Sequence, residues 1–387
     1  MRISGVGCSV VDFIYGDMDS SKLKNANFLN YGEAVDKKYV EKITGLDEKE
    51  AIGALTEGIT PQKLLGGVAI AALIGASQIV NQFGTEVEFY NYTSTDENGD
   101  FIIDCVKKTP LSTKKMLRKD AASPVTYALC DKGENGEVGN RTFVSIRSLE
   151  DDLAFDPEKL DEEFYNSDIN LFSCVQWEPK VEANFTAILK KLKDHGSFTV
   201  VGTASDAFDG KRKWILGDGE QVYNYIDLLI MDNDEALKYS GFDNREDCHN
   251  FFKNSNVGCF VITHGKHDLY LSVQNEDLFE PFEGYLPIAS EIDADKKAGK
   301  LSIGDSIGCG DNFVGGCLAG VSMQMEEDRN NKINMVDCCI WGSLSGGITS
   351  TVVGGTYYEK KPNEKYDLMK RYLNDYQKRI EKSLNKK

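Results

Sequence analysis

One stretch constrains this chain more than any other: Asp305-Ser306-Ile307-Gly308-Cys309-Gly310-Asp311-Asn312-Phe313-Val314-Gly315-Gly316. It reads as a glycine-rich turn leading into a small-residue helix over 313 to about 323. Gly308 and Gly310 allow a sharp turn and a close approach of backbone to ligand. The free N–H groups of the helix start then point into that turn, with the positive end of the helix dipole behind them. Such a place holds an anion well, a phosphate above all. Asp311 puts a carboxylate at the same helix mouth. An acid beside phosphate-stabilising amides is what phosphoryl transfer to an alcohol requires, because the acid takes the hydroxyl proton while the amides hold the migrating charge. A plain turn with Asp as helix N-cap also satisfies Gly-x-Gly-Asp, so the surroundings have to decide. Gly315-Gly316 within a helix costs roughly 1 kcal/mol per residue relative to Ala, which close packing or ligand approach should offset.

The 305–316 stretch resembles the C-terminal signature of the ribokinase-like (PfkB) carbohydrate and nucleoside kinases. The resemblance implies that Asp311 is the catalytic base and that Gly308, Cys309 and Gly310 form the anion hole. It extends over most of the chain. Gly7-x-x-x-x-Asp12 matches the first strand, whose Asp binds sugar hydroxyls, and a carboxylate suits that task because it accepts two donors at once. Gly66-Gly67, opening a small-residue helix, matches a substrate-contacting pair, but Ala71 stands where the family has an Asn. Asp232-x-x-Glu235 matches the Asn-x-x-Glu segment that organises Mg²⁺ and phosphates, with Asp232 departing from Asn. Thr263-His264-Gly265 resembles the Thr-x-Gly segment at the nucleotide, with Asp268 in place of a second glycine. Thr263, Gly265, Asp305 and Ser306 are thereby expected to contact the nucleotide, Asp12, Gly66 and Gly67 the acceptor, and Glu235 and Asp232 the metal. The long spacer before Gly66 is closer to the adenosine-kinase-like branch than to ribokinase.

Strand-like segments at 169–174, 198–201, 228–231 and 259–263 alternate with helical patterns, which predicts a parallel sheet covered on both faces. Ligands in such sheets sit at the carboxyl ends of the strands, which brings Asp232–Glu235, Thr263–Gly265 and the 308–311 turn to one edge. Residues 125–129 and 141–145 predict a hairpin joined through 132–140, matching the small sheet that closes over the sugar in this family. Arg141 on it is a candidate phosphate contact. The expected fold class is therefore α/β and ribokinase-like, a predominantly parallel central sheet flanked by helices with a small β-sheet lid. The core is expected in 1–15, 62–106 and 150–387, and the lid with its associated insertion in 16–61 and 107–149.

The net charge of −18 argues against a nucleic-acid partner or an anionic membrane surface, so any phosphate site has to be built from backbone amides and a cation. No run of 18 apolar residues occurs, and Met1-Arg2-Ile3 leads directly into a strand. The ten cysteines form no C-x-x-C and lie among apolar positions, as free thiols in a reducing cytoplasm would. The resemblance implies an ATP- and Mg²⁺-dependent kinase of a small-molecule sugar or nucleoside, expected to be cytoplasmic and monomeric or homodimeric. Two alternatives stay open: a catalytically weak nucleotide- or sugar-binding regulatory member of the fold, and a nicotinamide oxidoreductase. The last needs Gly-x-Gly-x-x-Gly after the first strand, where only Gly5-x-Gly7 is present.

Overall fold

The computed structural model describes residues 1–31, 34–131, 141–146, 153–204 and 213–385. The 132–140 hairpin turn and Arg212 lie outside the described residues. The strands are β1 (Arg2–Val6), β2 (Val10–Met18), β3 (Ala34–Asp36), β4 (Gln62–Gly66), β5 (Glu86–Ser94), β6 (Met116–Lys119), β7 (Val125–Asp131), β8 (Arg141–Ile146), β9 (Ile169–Ser173), β10 (Phe198–Gly202), β11 (Leu228–Asp232), β12 (Cys259–Thr263), β13 (Leu269–Val273) and β14 (Glu283–Leu286).

A nine-stranded sheet runs β14-β13-β12-β11-β10-β9-β1-β5-β6. Pairing is parallel from β6 through to β12, and β13 and β14 extend it antiparallel. Buried on both faces, these strands are apolar at successive positions rather than at alternate ones. Leu171, Val200, Leu228 and Val261 belong to one buried cluster with the helices Val68–Val80, Cys309–Glu327 and Met335–Thr349. Their neighbours Phe172, Val201, Leu229 and Phe260 belong to a second cluster on the other face, with Ile188 and Leu189 of Phe185–Asp194 and Phe252 of Arg245–Lys253. Consecutive side chains of a strand point to opposite faces, so one apolar run feeds both layers.

A second sheet has the order β3-β8-β7-β2-β4. The expected hairpin is its β7–β8 pair. Two local readings are corrected. The first strand, matched by Gly7 to Asp12, breaks at residues 7–9, so Asp12 lies within β2 of the small sheet and not at a strand end. The small sheet therefore also takes in β2 and β4, whose residues 10–15 and 62–66 the sequence assigns to the core. Asp96-Glu97-Asn98-Gly99 starts the helix Glu97–Val106: Asp96 caps it by accepting from the Gly99 N–H at 2.7 Å.

All ten cysteines are free thiols. Among the described residues, no helix is long and apolar enough to cross a membrane.

Candidate active site

The helix behind the glycine turn begins earlier than its composition suggests. It spans Cys309–Glu327, with Gly308 as N-cap at φ 70°, so Asp311 lies inside the first turn and not ahead of it. Gly308 is required twice over. Its backbone is left-handed, and a Cβ there would stand 2.4 Å from Gly355 Cα. Gly315 and Gly316 are explained by packing: a Cβ on the first would meet Ala72 O at 2.3 Å, and on the second Trp341 O at 2.4 Å. Backbone contact with the helices on either side replaces the helix propensity those glycines give up.

Parallel pairing carries the remaining groups to the same edge. Asp232 ends β11 opposite Thr263, which ends β12, and Thr203 follows β10 directly. A cavity of about 300 Å³ opens there, lined by Gly310, Asp311, Val314, Asp232, Glu235 and Thr263, with Val68, Trp177, Thr203, Ala204, Ile230 and Met231. Asp232 and Glu235 form a reciprocal capping box for Asn233–Ser240: Asp232 Oδ1 accepts from the Glu235 N–H at 2.8 Å, and Glu235 Oε2 from the Asp232 N–H at 3.0 Å. Thr203 Oγ1 donates a further bond of 2.6 Å to that same Oε2.

The site is acidic. Burial, with Glu235 and Asp12 nearby, pushes the Asp311 carboxyl up to about 8. Burial, then Asp305, raises Asp12 to about 7. Glu235 is raised by burial and by Asp232. Loss of water disfavours each charged form, and each neighbouring carboxylate adds repulsion. Perturbed acids gathered in a cleft mark a functional site more often than a structural one.

The other expected residues fall beside this cavity or behind it. Asp12 lies over Gly66, where a Cβ would come within 2.2 Å of its Oδ2, so the glycine makes room for the carboxylate. Gly67, at φ 112°, precedes the Val68–Val80 helix. Asp305 shapes the turn, accepting from the Ile307 N–H at 2.8 Å and the Gly354 N–H at 3.3 Å. Ser306 Oγ accepts from Arg141 Nη1 of β8 at 3.3 Å, so the small sheet touches the turn. Gly265 is exposed in the turn after β12 and does not line the cavity, nor do Asp12, Gly66, Gly67, Asp305, Ser306, Gly308 and Cys309. Trp177 and Thr203 do line it and have no counterpart in the sequence reading. Thr203, one residue past a parallel strand, could have been found by the strand-end rule; Trp177, on a short 3₁₀ turn, carries no such signal.

A parallel sheet with two helical layers, a small second sheet and a glycine turn with its acid define a ribokinase-like fold. Residues 38–361 match the pfkB family carbohydrate kinase, and the chain belongs to that family. Among solved structures, adenosine kinase from Sinorhizobium meliloti is similar at TM-score 0.67 and 15% identity, over 95% of this chain and 98% of that one. Ribokinase from Thermotoga maritima is similar at TM-score 0.61 and 16% identity, over 97% and 99%. Fructokinase with bound ATP from Xylella fastidiosa is similar at TM-score 0.61 and 13% identity, over 96% and 98%. No curated protein matches by sequence.

Proposed function

We propose that this protein is an ATP-dependent phosphotransferase that phosphorylates a hydroxymethyl group of a sugar or nucleoside. The observation that carries the reading is the place of Asp311: a half-buried carboxyl in the first turn of a helix begun by a left-handed glycine, in one cavity with Glu235 and Asp232. Asp311 takes the proton of the acceptor hydroxyl as its oxygen attacks the terminal phosphorus. The N–H groups at 308–310 hold the charge of the phosphoryl oxygens as the bond to the leaving diphosphate breaks. A base is most effective when its pKa approaches the working pH, and burial raises Asp311 toward that range. Asp12, with Gly66 and Gly67, holds the acceptor's hydroxyls. Thr263, Gly265, Asp305, Ser306 and Arg141 are proposed on the nucleotide side.

Glu235 and Asp232 fit a Mg²⁺ ion shared with nucleotide phosphates. Among the described residues no group of three or more His, Cys, Asp or Glu is disposed to hold a metal by itself. Mg²⁺ in such sites takes one or two carboxylates and completes its shell with phosphate and water. When bound, the ion offsets the negative charge of the phosphates. Glu235→Gln is expected to raise the Mg²⁺ concentration needed for half-maximal rate about 10–100-fold. Rates measured against Mg²⁺ at fixed ATP check this, and an unchanged half-saturation point removes Glu235 from the metal site.

The reading is tested by incubating the full chain with ATP and Mg²⁺ against a panel of sugars and nucleosides, following ADP release and the phosphorus spectrum of the product. A phosphate ester on a primary alcohol supports it. Nucleotide binding without turnover anywhere on the panel overturns it in favour of a binding protein.

A further inference from the structure

Lys365, in the first turn of Glu364–Leu384, is 0% exposed. Among the described residues its ammonium makes one hydrogen bond, of 2.6 Å, to Asn312 Oδ1, and its own N–H donates to Glu359 Oε1 at 2.8 Å. The space is prepared for this pair: a Cβ on Gly75 would lie 2.7 Å from Asn312 Oδ1 and 3.4 Å from Lys365 Nζ. Lys365 Nζ donates to the oxygen of the Asn312 amide, which leaves the amide nitrogen facing the other way. Both amide hydrogens are then used on the backbone of the turn, at Gly308 O (2.9 Å) and Gly355 O (2.8 Å). Those are the two residues whose backbones meet at the left-handed N-cap.

We propose that Lys365, acting through Asn312, is a positioning residue for phosphoryl transfer: it fixes the orientation of the amide that ties Gly308 to Gly355, and so aims the N–H groups of the turn at the terminal phosphate. This rests on the phosphotransferase reading. A buried lysine that served only to fill space would leave a polar nitrogen to desolvate in the core, where an apolar side chain does the same work without that cost.

The test is calorimetric binding of ADP and of AMP-PNP with Mg²⁺ to the full chain, to Lys365→Met, to Asn312→Leu and to the double variant, with thermal melts of each. Lys365→Met is expected to weaken AMP-PNP about tenfold while changing ADP little, because the hydrogen bond it deletes bears on the terminal phosphate. The double variant is expected to be no weaker than the weaker single, since both changes cut one linkage. If Lys365→Met melts before binding is measured, Lys365→Gln, which still donates to Asn312, keeps the comparison and is expected to retain most of the AMP-PNP affinity. Equal loss for both nucleotides, additive losses, or unchanged AMP-PNP affinity overturns the proposal. Failure of the unaltered chain to bind either nucleotide overturns the phosphotransferase reading and this proposal with it.

Discussion

Asp311→Asn is expected to lower phosphoryl transfer by at least about 10²–10³-fold while leaving the fold and nucleotide binding in place. Asparagine keeps the shape of the side chain and removes its ability to accept a proton. The same substitution is expected to stabilise the protein at alkaline pH. Asp311 moves from an ordinary 3.8 to about 8 in the folded chain. The folded state therefore binds the proton more tightly than the unfolded state, so this contribution is complete below about pH 4 and is lost as pH rises through about 8. Asp12, raised from 3.8 to about 7, tilts stability the same way. At pH 8 and above the Asn variant should melt about 2–5 °C higher than the parent, since it no longer holds an acid that is forced to ionise in the cavity. Melting curves from pH 5 to 9 check the slope, and turnover at each pH checks the base. An Asn variant that turns over like the parent removes Asp311 from the chemistry. A kcat/KM profile whose acid limb lies near 4 contradicts the raised pKa.

Gly308→Ala is the second large effect. The φ of 70° costs any L side chain roughly 1–2 kcal/mol, and here the new methyl would stand 2.4 Å from Gly355 Cα. The obstacle is backbone, so one of the two segments has to move. A shift of the N-cap swings the N–H groups at 308–310 away from the phosphate, and transfer is expected to fall about 10²-fold or more. Melting temperature should drop only modestly, because the long helix is held further along. Near-normal turnover in the alanine variant would show that the turn does not hold the migrating group.

Much of this site can be read from the chain, and the rest is hidden for identifiable reasons. Gly308 declares the turn because few other residues can adopt its left-handed backbone, and the acid at fixed spacing follows in the first turn of the helix. Alternation of strand and helix places Asp232, Glu235 and Thr263 on one edge because parallel strands share a carboxyl end. The break at residues 7–9 is hidden because Val6, Cys8 and Val10–Val11 continue one apolar run across it, so the change of sheet leaves no change of pattern. Asn312 and Lys365 are hidden more deeply. Their separation in sequence is 53, and a lysine in an amphipathic, Lys-rich terminal helix has the composition of a solvated face. Only packing distinguishes it from its exposed neighbours.

The contacts at Gly315 and Gly316 bear on how the protein can move. At these two positions main chain abuts main chain on both flanks of the Cys309–Glu327 helix, with no side chain between them to repack. The Asp311 end of the helix is in effect a wedge driven between two neighbours, and rolling or retracting it is expected to prise three helices apart. On the phosphotransferase reading, a closing stroke that shuts water out is expected of the five-stranded sheet, whose Arg141 already reaches across to Ser306 like a latch against its strike plate.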